Sequence, residues 1–377
     1  MSEVFDIAIL GAGVTGLRLT NMLLSQGAGK LRVVLIGPVD RRQQRISFWH
    51  EASQRYDYDA AIDGRWSAWD FRQHGRTITQ QSRRCEYVSI DALVLKQQFE
   101  GQLAARECYR LNALVQQVIQ SGLDFDVVSE AGTVTARQVI DTRTPYIPDK
   151  CLKQQFLGIE VELSVPHDIK NPMLMDFDIT AIASDAVNFI YVLPISERRL
   201  FVEATIFSYG CAAKTDFYRA IDDWLDRHFA GSTLKNDRDE AEFATIPMGQ
   251  VLPIEPSLVG CGVGGGATRA STGYAFKGAE RQMQQLLLQA ASGRRFKHVE
   301  AYSRRARLMD AVFLQVTRTE IGVLPELFGA MANRLSGDDF ADFLSDSGGW
   351  NPLIRTISAA PKWPFIKAAG RLLVPRR

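Results

Sequence analysis

The chain has 377 residues, 46% of them hydrophobic and 23% charged, with a formal net charge of +1. Such a composition excludes extended disorder and is large enough for two or three sub-domains sharing substantial cores. The balanced charge, with no Lys/Arg block interleaved with aromatics, removes nucleic acid from the expected partners.

The first segment, VFDIAILGAGVTGLRLTNMLLSQGAGKLRVVLIG, predicts a strand, a glycine turn, an amphipathic helix and a second strand. Gly11, Gly13 and Gly16 put G-x-G-x-x-G at the strand-to-helix junction, where it marks a Rossmann dinucleotide-binding unit. The first glycine permits a tight turn, the second lets backbone approach a pyrophosphate, and the third lets helix and strand pack closely. The acid that would hold a ribose hydroxyl at the end of the second strand is missing, since Gly37 stands there; Asp40, just beyond, is the candidate replacement. No basic and apolar leader precedes the first strand, and nowhere do about 18 apolar residues run together, so a cytoplasmic protein is expected. Five cysteines (Cys85, Cys108, Cys151, Cys211 and Cys261) stand singly without CxxC spacing, which suits a reducing compartment and offers no metal site.

Further along, QVIDTRTP (138–145) predicts a strand ending in Asp141 and Arg143. Residues 154–208 read as an antiparallel sheet of FLGIEVELS, PMLMDFDIT, NFIYVLPIS and RLFVEATIFS joined by short turns. In the last of these, strand alternation puts Leu200, Val202, Ala204 and Ile206 on one face and Phe201, Glu203, Thr205 and Phe207 on the other. Glu203 either meets water or an arginine, as most charged strand residues do, or is a buried acid held protonated. TDFYRAIDDWLDRHF predicts an amphipathic helix, and AEFATIPMG another strand.

LVGCGVGGGATRASTGYAF (258–276) predicts a strand, a glycine-rich loop and a helix start. Gly264, Gly265 and Gly266 would let backbone amides approach a cofactor, and two distant glycine-rich segments suit FAD, which spans more protein than a nicotinamide cofactor does. After about Ser303 the apolar spacing turns helical. The final KWPFIKAAGRLLVPRR mixes Trp363, Phe365, Ile366, Leu372 and Leu373 with five basic residues. It reads either as a packed helix with a solvated basic face or as a peripheral contact with an anionic membrane surface.

The expected fold is α/β: a discontinuous Rossmann-type FAD-binding domain (1–85, 105–160 and 255–300), an antiparallel β-sheet substrate domain (161–254) and C-terminal helices capping it (301–377). A sheet face rich in Phe, Ile and Met over a flavin describes a pocket for an apolar substrate. The pattern does not predict an oligomeric state.

Several stretches together resemble the lycopene cyclase family, carotenoid enzymes that bind flavin at a Rossmann site. ISFWH (46–50) resembles the family's W-S-F-W segment and QVIDTRTP its I-D-x-R-x-P; GIEVEL, MLMDF, FIYVLP, RLFVEATIFS, EFATIPMG and STGYAF follow in family order. The family's essential acid lies in F-L-E-E-T or L-I-E-D-T, which here reads F-V-E-A-T, so the first acid maps onto Glu203 and the second position is Ala204. Ala270 is a smaller departure, where many members have proline. Asp176, in MLMDF, and Glu242, before T-I-P-M, match acidic motif positions and are either catalytic or structural hydrogen-bond partners.

What the resemblance implies is redox-neutral cyclisation of a linear carotenoid end group. A carboxylic acid protonates the terminal double bond, the neighbouring alkene attacks the cation, and loss of a ring proton gives a β-ionone ring. An alkene is a very weak base, so the donor must be an acid kept protonated by burial. Glu203 has that role, with Phe201, Thr205, Phe207 and Tyr274 as the substrate wall. Reduced FAD would stabilise the cation, and NAD(P)H would keep it reduced; the final proton goes to Glu203 or the flavin. The runner-up is a flavin monooxygenase or cyclase acting on another lipophilic polyene. The missing Asp in the second glycine loop counts against the monooxygenase. A non-catalytic carotenoid- or flavin-binding protein would find support only in Gly37 and Ala204.

Overall fold

Strand-period and helix-period apolar patterns succeed one another in the computed structural model, which describes residues 4–25, 31–106, 108–232, 234–236, 238–360 and 362–373. The chain starts with β1 (Val4–Leu10), α1 (Val14–Ser25), β2 (Val33–Ile36), β3 (Arg45–Glu51), β4 (Ile62–Trp66), β5 (Ala68–Gln73), β6 (Arg76–Gln81) and β7 (Cys85–Asp91). Next come α2 (Ala92–Ala105), β8 (Tyr109–Leu111), β9 (Val115–Ser121), β10 (Asp124–Ser129), β11 (Gly132–Asp141) and β12 (Lys153–Leu163). They are followed by β13 (Met173–Asp176), β14 (Val187–Pro194), β15 (Arg199–Ser208), α3 (Lys214–Phe229), β16 (Leu234–Asn236), β17 (Glu242–Pro247) and β18 (Val259–Gly260). Six helices close the chain: α4 (Phe276–Ala291), α5 (Arg304–Glu320), α6 (Leu324–Arg334), α7 (Gly337–Ser345), α8 (Trp350–Ala359) and α9 (Lys362–Leu373).

The first sheet runs β8-β2-β1-β11-β10-β9, with β18 on β11. β1 is parallel to β2 and β11, and its run of apolar residues is buried on both faces, as parallel strands require. Leu17 of α1, Leu95 and Phe99 of α2 and Met283 of α4 cover Ile9 and Leu35. Asp91 starts α2 by accepting the N–H groups of Leu93 and Val94.

The second sheet runs β16-β12-β15-β14-β13-β5-β6, with β17 on β12. Its pairs are antiparallel except β13 with β5. Two boundaries differ from the sequence reading. β12 pairs along its length with β15, so the border expected at residue 160 falls before Lys153. The β5–β6 hairpin, expected with the N-terminal domain, extends the second sheet instead, because Trp69 and Phe71 join the apolar core beneath the C-terminal helices. α2, outside the expected segments, packs into the first core.

The two faces of the second sheet meet different neighbours. Leu157, Ile190, Val202, Ala204 and Ile206 pack on Ile221, Trp224 and Leu225 of α3. Phe189, Phe201 and Phe207 face the third sheet (β3-β7-β4) through Trp49 and Tyr87, and the helices through Phe313, Phe328 and Phe340. Among the described residues no helix is long and apolar enough to cross a membrane. On α8 and α9, Trp350 and Trp363 are exposed while Phe365 packs inward. Residues 374–377 and the side chains of Leu372 and Leu373, part of the C-terminal segment considered above, lie outside the described residues.

Candidate active site

Between these layers lies a cavity of about 330 Å³ that reaches from the Rossmann turn to the second sheet. One end is formed by Val14, Thr15, Arg18, Gly262 and Val263, the other by Phe189, Tyr191, Phe201, Glu203 and Phe207. Trp49 and Tyr87 close one side, Phe328 and Phe340 another. Alternation along β15 is what aims Glu203 and its flanking Phe201 and Phe207 inward while Ala204 faces α3.

Glu203 is the carboxylate on this wall. Its residual exposure is to the cavity, and the Thr205 hydroxyl donates to its Oε1 at 2.6 Å. Burial raises its pKa to about 8; the Thr205 hydrogen bond opposes the rise and the charge of Glu242 adds to it. A carboxyl with that pKa carries its proton at neutral pH.

Glu242 sits on the far side of Gly158, the residue of β12 that pairs with Glu203 on β15 and with Glu242 on β17. Two inter-strand spacings separate the backbones, about 10 Å. Burial lifts Glu242 to about 7, against the Arg45 amide that donates to it at 2.9 Å and the charges of Arg45, Arg42 and Lys96. It does not line the apolar chamber. It faces a separate polar cavity with Glu160 and Arg199, and Phe201 and Arg45 line both spaces. Arg45 pairs with Asp63 and Glu160 and lies over the Phe201 ring, 5.2 Å from its centroid.

Across from Glu203 on β14 is Tyr191, whose hydroxyl meets that of Tyr87 at 3.0 Å; Tyr87 also reaches Tyr274 at 3.4 Å. Burial pushes all three phenols well above their ordinary range, so they are neutral hydrogen-bonding rings. Trp49 packs edge-to-face with Trp69, Tyr274 and Phe340 and tilted against Tyr87, and its buried indole Nε1 has no hydrogen-bond partner among the described residues.

At the Rossmann turn each glycine has its own reason. Gly11 has φ +99°, a Cβ on Gly16 would meet the Gly11 carbonyl at 1.9 Å, and a Cβ on Gly13 would meet nothing within 4 Å. The free space at Gly13 is the approach a pyrophosphate needs. Arg18, one turn on, is buried between Asp57 and Glu280, and its Nη1 has no hydrogen-bond partner among the described residues.

Other sequence candidates lie elsewhere. Asp40 is held by Arg42 and Lys96, which outweigh its burial and bring it down to about 2, so it is committed to an ion pair. Asp141 accepts three hydrogen bonds from Arg143 and caps its own turn. Gly264 and Gly265 are corrections: a Cβ on either would strike backbone, of Arg143 at 2.8 Å and Gly260 at 2.5 Å. The amides of Gly265 and Gly266 already bond Gly262 and Val263, so the cavity wall is made by Gly262 and Val263. Asp176 does not reach the chamber; Trp224 Nε1 donates to it at 2.9 Å and the Asp178 amide at 3.0 Å. Thr205 touches Glu203 rather than the cavity, whereas Phe201, Phe207 and Tyr274 do line it. Sequence reading missed Arg45, Trp49, Tyr87, Tyr191 and Phe328. Of these, Tyr191 was findable, since it shares the inward alternation of β14 with Phe189.

The chain is similar to known proteins in both sequence and fold. A family model described as lycopene cyclase protein matches residues 6–345. The chain belongs to the lycopene cyclase family. Lycopene beta cyclase of Solanum lycopersicum is 26% identical over 300 residues, 72% of this chain and 57% of that protein. The lycopene beta-cyclase of Pantoea ananas is 28% identical over 214 residues, 54% of this chain and 53% of that one. The chain thus spans about half the length of the curated relatives it matches. In fold it is similar to a geranylgeranyl bacteriochlorophyll reductase-like protein of Thermoplasma acidophilum, with a TM-score of 0.61 at 15% identity over 99% of this chain and 100% of that one. A flavoprotein/dehydrogenase from Cytophaga hutchinsonii gives 0.62 at 10% identity over 97% and 98%. The fold is therefore one that flavoproteins use, and in this chain the F-V-E-A-T strand places an acid on the chamber wall.

Proposed function

We propose that this chain cyclises the end group of a linear carotenoid by proton transfer from Glu203, without net oxidation or reduction. The observation that carries the reading is a single one: an acid on an aromatic chamber wall, raised to about 8 and so protonated at neutral pH. Thr205 donates to Oε1, so Oε2 is the oxygen left to carry the proton. Transfer to the terminal double bond leaves a tertiary cation, which the neighbouring alkene attacks to close the ring. Glu203 is then a carboxylate in an apolar chamber, a strong base, and it takes back the ring proton, so that proton and electron counts close. The faces of Phe201, Phe207, Tyr191 and Trp49 offer the cation their negative quadrupole and exclude water. Burial keeps Glu203 protonated, and the like charge of Glu242, behind Phe201, adds to that.

FAD fits the Rossmann end of the cavity, where Gly11, Gly13 and Gly16 shape the turn and Val14, Thr15, Arg18 and Val263 would flank the ring system. When bound in its reduced form, kept so by NAD(P)H, it supplies negative charge beside the cation. The same reading gives α8 and α9 a peripheral contact with the membrane that holds the substrate, through exposed Trp350, Ile354, Trp363 and Ile366. Co-sedimentation with anionic vesicles, lost in Trp363→Ser, is the expected result; no sedimentation of the native chain removes the contact.

The deciding experiment expresses the chain in cells that accumulate a linear carotenoid and separates the pigments by chromatography with mass detection. The expected product has unchanged mass and a ring. Glu203→Gln keeps its flavin absorbance and loses about 10³-fold in rate, the scale of general acid catalysis. Unaltered carotenoid beside a folded, yellow native protein, or full activity in Glu203→Gln, overturns the reading.

A further inference from the structure

Behind the chamber is a second cavity of about 500 Å³, lined by α5, α6, α7, α8 and α9 and by Ser271 and Thr272. Its wall is mainly apolar, with Phe313, Met331 and Phe365 among its residues, and its one acid, Asp310, is paired with Arg269. Each cavity is of ligand-pocket size by itself. They are not independent, because Ser271, Thr272, Phe328 and Leu344 belong to the walls of both.

Phe328 is the hinge of that partition. Its ring lies edge-on to Phe207 of the chamber, at 6.3 Å between centroids, and tilted against Phe313 of the outer cavity, at 6.4 Å. The far end of the outer cavity reaches the surface between α8 and α9, where Ile357 and Ile366 line it while 49% and 59% exposed. Two apolar cavities that share Phe328 and Leu344 in their walls therefore lie between the surface at α8 and α9 and the strand that carries Glu203.

A conjugated chain is straight and stiff. With one end at Glu203 the remainder has to continue in line, and an apolar cavity that abuts the chamber is the space for it. We infer that the outer cavity holds the unreacted arm of the polyene, which enters between Ile357 and Ile366 and passes Phe328 and Leu344. The identity of this ligand rests on the cyclisation proposed above. The site makes the enzyme selective for chain length: a long polyene engages both cavities, a short one bearing the same end group only the chamber.

The test blocks the outer cavity without touching the chamber. Ala369 lines it from α9 and is partly exposed, so Ala369→Trp fills space at little cost to folding. Ile357→Trp does the same from α8, should the first variant fold poorly. Binding of a long linear carotenoid and of a short polyene with the same end group, each in detergent micelles, is followed by the induced circular dichroism of the polyene. The long polyene is expected to bind about tenfold more weakly to either variant, and the short one to within about twofold of the native chain. Equal weakening of both, unchanged binding of the long polyene, or no binding of either to the native protein overturns the inference. Product formation is scored separately. Length-selective binding without any ring product would sink the cyclisation and leave the arm site standing.

Discussion

Two buried acids of the same sheet have opposite surroundings. Asp176, at the end of β13 and 1% exposed, receives an N–H from Trp224 on one oxygen and the Asp178 amide on the other. Glu203, on β15, receives one hydroxyl and faces the charge of Glu242. Burial is common to both. The difference is in the donors, and it teaches that a reactive acid is made by withholding hydrogen bonds from it. An acid with donors on both oxygens is structural, whereas one with a single donor keeps its proton and, on the proposed reading, gives it to an alkene.

The comparison can be broken most sharply at Glu203. Glu203→Gln removes the chemistry and yet gains in relative stability as pH rises. The unfolded chain ionises Glu203 near its ordinary value while the folded chain holds the proton to about 8, so native stability falls across that window. Thermal melts from pH 5 to 9 should show the variant overtaking the native protein; parallel curves would mean that Glu203 is not held neutral. Placing the second family acid by Ala204→Glu should destabilise by about 4 kcal/mol or more, because position 204 is buried against α3 with no partner. A variant of near-native melting temperature would show that this face can admit a charge. Asp176→Ala should cost about 2 kcal/mol by orphaning the Trp224 N–H, with the rate of the folded fraction unchanged. A loss of rate instead would return Asp176 to the mechanism. The smallest effect is expected for Glu242→Gln. Activity needs protonated Glu203 and fails as pH rises through about 8; removing the Glu242 charge should move that alkaline limb to lower pH. An unmoved limb separates the two carboxylates electrostatically.

The inward face of β15 was legible because a two-residue period in RLFVEATIFS leaves one assignment of faces. The Rossmann turn was legible because its three glycines answer three different steric demands at fixed spacing. What escaped was long-range. β5 joins β13 across about a hundred residues of chain in the sheet's lone parallel pair among the described strands, and no local pattern announces such a partner. Phe328, Phe340 and Leu344 sit at helical spacing like any core residue, so nothing in the sequence separates a cavity wall from a packed interior. Gly264 and Gly265 misled for a related reason. Glycine is needed wherever backbone approaches closely, and here what approaches is the protein's own chain.

Gly158 has a consequence out of proportion to its size. A Cβ there would lie 2.2 Å from the Phe201 ring, so that ring rests where it does only because a hydrogen atom occupies the place of a side chain. The ring is also the shared wall between the chamber and the polar cavity of Glu160, Arg199 and Glu242. On the proposed reading the ring cation must lose its proton before water reaches it, and this contact is one of those that keep the polar cavity apart from the chamber. A substituent at position 158 would displace the Phe201 ring and so open the wall between the chamber and the polar cavity.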